Sequence, residues 1–100
     1  MRMNEREAKI AILQRLLWDY NILPEDCLDV LEGKKELAGH YKEERLFQKL
    51  LESFPWYTIM ELIPLPRIKA LLTESLIHSL RTNQLIKRYE FISIRLSETI

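Results

Sequence analysis

An all-α fold is predicted by three features of this sequence. Eighteen Leu and 11 Ile stand against a single Val, an apolar inventory rich in a strong helix former. Turn residues are scarce, with 2 Gly and 4 Pro in 100 residues. The clearest periodicity is helical: Phe47, Leu50, Leu51 and Phe54 recur at i, i+3, i+4, i+7. An irregular compact bundle of five to six short helices, forming a single domain over residues 1–100, is the expected architecture.

The first helix is expected from Asn4 to Tyr20. Asn4 suits the N-cap, and Glu5 and Glu7 lie in the first turn, where the helix dipole favours anions. Ile10, Leu13, Leu17 and Tyr20 make one stripe, widened by Ile12 and Leu16. Pro24 suits a first helical position and Gly33 a helix end, so a short helix with Leu28 and Leu31 inward lies between them. Gly39 and its charged neighbours mark a loop before the Phe47 helix. Pro55 starts the next, Trp56 to Ile63, whose only polar edge is Thr58 and Glu61; a helix so apolar is central or covered by a partner.

Pro64-Leu65-Pro66 interrupts it, because a proline pushes the preceding residue out of the α region. Ile68, Leu71 and Leu72 form a short helix, Thr73 can cap Glu74 to Leu80, and Thr82 can cap a last helix carrying Leu85, Ile86, Tyr89, Ile92 and Leu96. Ile92, Ile94 and Leu96 also alternate with Ser93, Arg95 and Ser97 as a half-buried strand would. No second strand stands ready to pair with it, so helix is expected. The core is expected to hold Leu13, Leu17, Phe47, Leu50, Leu51, Ile59, Met60, Leu72, Leu76, Leu80, Leu85, Tyr89 and Ile92.

A chain of this size buries about 65% of its unfolded surface, enough for one core. Fifteen basic residues balance 15 acidic ones and 47% of residues are apolar, which excludes a disordered tail and a bulk polycation. The lone Cys27 excludes an internal disulfide. The longest uncharged stretch in the apolar middle, Ser53 to Met60, is far short of the ~20 residues of a membrane span. The start of the chain lacks the apolar run of a secretory signal. A cytoplasmic location is expected. Charge is nonetheless uneven, summing to +2 over residues 1–18, −5 over 19–66 and +3 over 67–100.

Catalytic and metal chemistry find little footing. His40 and His78 are far apart in sequence and Cys27 stands alone, which is no zinc spacing. Acids near Cys27 disfavour a thiolate. Gly33 and Gly39 match no phosphate loop, and Glu43 and Glu44 are neighbours that point to different sides of a helix. No cofactor is expected, and the chain is not expected to be an enzyme; an enzyme would need a cleft bringing His40 or His78 to a carboxylate. A helix-turn-helix over Arg67 to Leu80 would present Ser75, His78 and Ser79, a poor set for reading bases.

Several segments together carry a family resemblance: Leu16-Leu17-Trp18-Asp19-Tyr20-Asn21-Ile22, Pro24-Glu25, Val30-Leu31, Gly33-Lys34, Ala38-Gly39-His40, Arg45-Leu46-Phe47, Leu50-Leu51-Glu52, Trp56-Tyr57, Leu71-Leu72-Thr73 and Arg88-Tyr89-Glu90-Phe91. With these, the chain resembles, over residues 13–97, a family of small uncharacterised prokaryotic proteins often encoded beside nucleotidyltransferase-like toxins of the abortive-infection type. The resemblance implies an antitoxin-like or accessory partner of such a toxin. It carries no catalytic signature.

Three readings follow, and the first is favoured. In it the chain is a small helical module that binds another protein, with Trp18, Asp19, Glu25, Asp29 and Glu32 as candidate contact residues. Glu25, Asp29, Glu32 and Glu36 share helical spacing. Trp18 lies about 80° from Ile10 on a helical wheel, off the stripe of the first helix, and aromatic anchors are common interface hot spots. The second reading, a DNA-binding regulator with a degenerate helix-turn-helix, requires Arg67, Arg81, Lys87, Arg88 and Arg95 on one face. The third is the enzyme.

Overall fold

Asn4 caps the first helix. Its side-chain oxygen accepts the backbone N–H of Glu7 at 2.7 Å, and its amide nitrogen donates to the Glu7 carboxylate at 3.1 Å, satisfying an otherwise orphaned helix donor. Helix α1 follows as Glu5–Leu17, with Leu13 buried. The computed structural model describes residues 4–17 and 22–98, without the side chains of Leu16 and Leu17. The expected extension of α1 to Tyr20 and the inward position of Leu17 lie outside what is described.

Helix α2, Pro24–Leu31, begins on its proline and buries Cys27, Leu28, Val30 and Leu31. It ends where Gly33 takes a φ of 81°. There the Gly33 N–H donates to the Val30 carbonyl at 3.0 Å and the Lys34 N–H to the Asp29 carbonyl at 2.7 Å. This paired closure is the Schellman arrangement, which a residue with a Cβ adopts only at a cost.

Strands β1, Leu37–Ala38, and β2, Tyr41–Lys42, then form a small antiparallel hairpin, Leu37 opposite Lys42 and Ala38 opposite Tyr41. Gly39 has a φ of 60° and His40 no positive φ, the signature of a two-residue II′ turn. Where the sequence indicates only a loop, the structure therefore has a hairpin. Two-residue strands are too short to show a period, so nothing but the turn glycine betrays them. Helix α3, Glu43–Ser53, follows directly and buries Leu46, Phe47, Leu50 and Leu51.

The chain gathers into two compact units, residues 1–47 and 48–100. The second unit holds the end of α3 and four further helices. Helix α4, Trp56–Leu62, starts after the extended Pro55 and stops at Ile63, whose φ of −127° and ψ of 131° are those expected before Pro64. Helix α5 spans Leu65–Leu71. Thr73 accepts the Leu76 N–H at 3.2 Å to start α6, Glu74–His78, and Thr82 accepts the Leu85 N–H at 3.2 Å to start α7, Asn83–Glu98. Residues 91–97 are thus helical.

The core of this unit comprises Leu50, Leu51, Ile59, Leu62, Ile63, Ile68, Leu71, Leu72, Leu76, Ile77, Leu80 and Tyr89. The Trp56 and Tyr89 rings meet edge to face, their centroids 6.2 Å apart. Three expected core positions need correction: Met60 is 47% exposed, and Leu85 and Ile92 are half-buried. Helix α4 is apolar nearly all round, so periodicity cannot say which side faces inward, and Ile59 and Leu62 take the inner positions. The described residues hold seven α-helices rather than five or six; the breaks expected at Pro64 and Thr73 are both present, and the short segments α5 and α6 on either side of Thr73 are each a separate helix. The fold is all-α apart from the hairpin. Among the described residues no helix is long and apolar enough to cross a membrane.

Candidate interaction site

Helix α7 turns Tyr89 fully inward, with Leu85, Ile86, Ile92, Ser93 and Leu96 half-buried around it. At 100° per residue, the side opposite Tyr89 carries Lys87, Phe91, Ile94 and Glu98, with Arg88 and Arg95 along one edge. All six are exposed, Phe91 by 63% and Ile94 by 59%. The Arg95 guanidinium lies 5.9 Å from the centre of the Phe91 ring, a cation–π contact that leaves the ring open to solvent.

Beside this face, α6 and α7 border an open cleft of about 250 Å³ lined by Glu74, Ile77, His78, Glu90, Ser93 and Ile94. His78 Nε2 lies 3.5 Å from Glu90 Oε2, and both side chains are about half exposed. A histidine is thus brought to a carboxylate, the pairing an enzyme reading requires. Open to water on this scale, the pair acts as a weak link between α6 and α7 when His78 is protonated.

A second group of exposed apolar side chains lies on α4 and the start of α5: Tyr57, Met60 and Leu65, with Tyr57 66% exposed. The spacing of Tyr57 and Met60, one helical turn, puts both on one side of α4. Glu61, one turn after Tyr57 and on its other side, is also exposed.

The acidic candidates fare unequally. Glu25 is exposed, but Asp29 and Glu32 both engage Arg6 of α1, at 3.1 and 3.5 Å, and Glu32 also meets Lys34 at 3.3 Å. Asp26 accepts from Lys35 at 2.6 Å, and that hydrogen bond, reinforced by the Asp26 charge, holds the Lys35 ammonium above its ordinary pKa. The acidic face of α2 is in this way largely answered by basic residues of its own unit, and α2 ends before Glu36 can join it. Trp18 and Asp19 lie outside the described residues.

Of the basic candidates, Lys87, Arg88 and Arg95 come together on the exposed side of α7. Arg67 is half-buried on α5 and engaged within the chain. Arg81 lies 3.6 Å from Glu52. The helix-turn-helix segment becomes α5 and α6, and α6 has only five residues, with an exposed Glu74 at its start where DNA phosphates would lie.

His40 is exposed on the hairpin turn. Burial pushes the Cys27 thiol up to about 12, so it stays protonated and unreactive at neutral pH. Among the described residues no group of three or more His, Cys, Asp or Glu could hold a metal ion.

Phe91 and Ile94 carry the exposed face of α7 and were not evident from sequence as contact residues. The available signal was that both fall off the stripe formed by Leu85, Tyr89, Ile92 and Leu96. No family model, curated protein or solved structure matches the chain.

Proposed function

We propose that this protein is a small helical protein-interaction module acting as an antitoxin-like accessory partner of a nucleotidyltransferase-type toxin, in a prokaryotic cytoplasm. The observation that carries the interaction reading is the exposure of Tyr57, Met60, Leu65, Phe91 and Ile94 on helices of one 53-residue unit. Exposed apolar side chains scattered singly are ordinary; grouped on helix faces they mark surfaces that another protein covers. The toxin as partner comes from the family resemblance. The buried thiol of Cys27 suits a reducing compartment.

A DNA-binding regulator is the second reading, favoured by Lys87, Arg88 and Arg95 sharing one side of α7. Three exposed cations give only a shallow salt dependence.

Purification of the tagged chain from its native host tests the proposal. A single protein with a nucleotidyltransferase fold is expected to co-purify in stoichiometric amount, and to be lost when Tyr57→Ser and Met60→Ser are combined with Phe91→Ser and Ile94→Ser. Recovery of the chain alone, or with DNA whose binding weakens steeply between low and moderate salt, would overturn it.

A further inference from the structure

We infer that the exposed face of α7 docks an amphipathic helix of a partner protein, one whose apolar stripe is flanked on one side by acidic residues. The inference rests on the interaction reading above and specifies the surface and the chemistry of its partner.

Phe91 and Ile94 are one turn apart near the middle of a 16-residue helix. They form a short apolar strip, bounded along the helix by Lys87 and Glu98, of the kind that a facing helix covers with apolar residues one turn apart. The cleft beside Ile94, where Ile77 and Ile94 meet the polar Glu74, His78, Glu90 and Ser93, gives one side chain of that helix with an apolar stem and a polar tip a place to insert. Along the other edge Arg88 and Arg95 are two helical turns apart, so acidic residues at the same spacing on the partner would meet both.

A second copy of this chain fits the face poorly. Packed antiparallel across a two-fold axis, Arg88 of each copy would lie against Arg95 of the other along the same edge. Packed parallel, Lys87 would face its own equivalent. Like charges placed opposite each other disfavour both arrangements. Arg95 lies over the Phe91 ring, which places its guanidinium at the edge of the apolar strip where an acidic group would arrive.

The test uses fluorescence anisotropy with two labelled peptides of ~20 residues, long enough to form a stable amphipathic helix when bound. Both carry leucines at helical spacing; one is flanked by glutamates and the other by lysines. The glutamate peptide is expected to bind the full chain about tenfold more tightly than the lysine peptide. Phe91→Ser with Ile94→Ser should weaken it about tenfold or more, and Arg88→Glu with Arg95→Glu should invert the preference. Far-ultraviolet circular dichroism of each variant should match the parent, because all four side chains are exposed.

Equal binding of the two peptides, no binding of either, or indifference to the Phe91 and Ile94 changes would overturn the inference. Binding lost instead on Tyr57→Ser with Met60→Ser would leave the interaction reading standing and remove α7 from it. A concentration-dependent dimer in sedimentation that the Phe91 and Ile94 changes dissolve would make a second copy the occupant, and the inference would fail.

Discussion

Tyr89 shows how much one side chain can be asked to do. Its ring is wholly buried on the inner side of α7 and meets Trp56 edge to face, while its hydroxyl has no hydrogen-bond partner among the described residues. The ring contributes apolar burial and an aromatic contact; the lone hydroxyl opposes them, since a buried unpaired hydroxyl costs about 1 to 3 kcal/mol. Tyr89→Phe is therefore expected to leave stability unchanged or raise it by about 1 kcal/mol, whereas Tyr89→Ala should lower it by about 3 to 5 kcal/mol. Urea unfolding of both variants checks this. A Phe variant as destabilised as the Ala variant would mean that the hydroxyl is well satisfied.

Individual elements are held at their ends by local chemistry. Asn4, Thr73 and Thr82 each accept a backbone N–H three residues on, and Pro64 enforces the extended Ile63 that separates α4 from α5. Gly33 is the sharpest case, because the two closing bonds of α2 depend on its positive φ. Gly33→Ala is expected to destabilise the protein by about 1 to 2 kcal/mol, the cost of a left-handed residue bearing a Cβ, and Gly33→Asn by less. Equal urea midpoints for the Ala variant and the parent would show that the chain leaves α2 another way. The ion pairs from Arg6 to Asp29 and Glu32 tie α1 to α2 more gently, being partly exposed to solvent.

At the scale of the whole molecule, stability depends on pH through groups whose pKa differs between the folded and the unfolded chain. Two buried groups point the same way. Cys27, ordinarily near 9.0, is pushed up to about 12, and the Tyr89 hydroxyl is held above its usual 10.0, each chiefly by burial. Below pH 9 the thiol is neutral in both the folded and the unfolded chain. Above it, the unfolded chain releases a proton that the folded chain retains, so stability declines by about 1.4 kcal/mol per pH unit on the thiol's account as pH rises toward 12. Unfolding free energies measured at pH 8, 9, 10 and 11 should change little on the thiol's account up to pH 9 and then fall, more steeply in the parent than in Cys27→Ala. Identical slopes in the two proteins would refute the assignment to the thiol.

The sequence by itself determined the all-α class, the caps at Asn4, Thr73 and Thr82, the breaks at Pro55, Pro64 and Gly33, and the burial of Phe47, Leu50 and Leu51. These follow from interactions within a few residues of chain or from a single helical period. Tertiary structure alone decided the rest. It chose which side of the nearly uniform α4 turned outward, leaving Met60 exposed. It answered Asp29 and Glu32 with Arg6, brought His78 to Glu90, and left Phe91 and Ile94 on the open side of α7. Each of these outcomes depends on what lies opposite a side chain, and a one-dimensional pattern carries no record of the neighbour that arrives from a distant part of the chain.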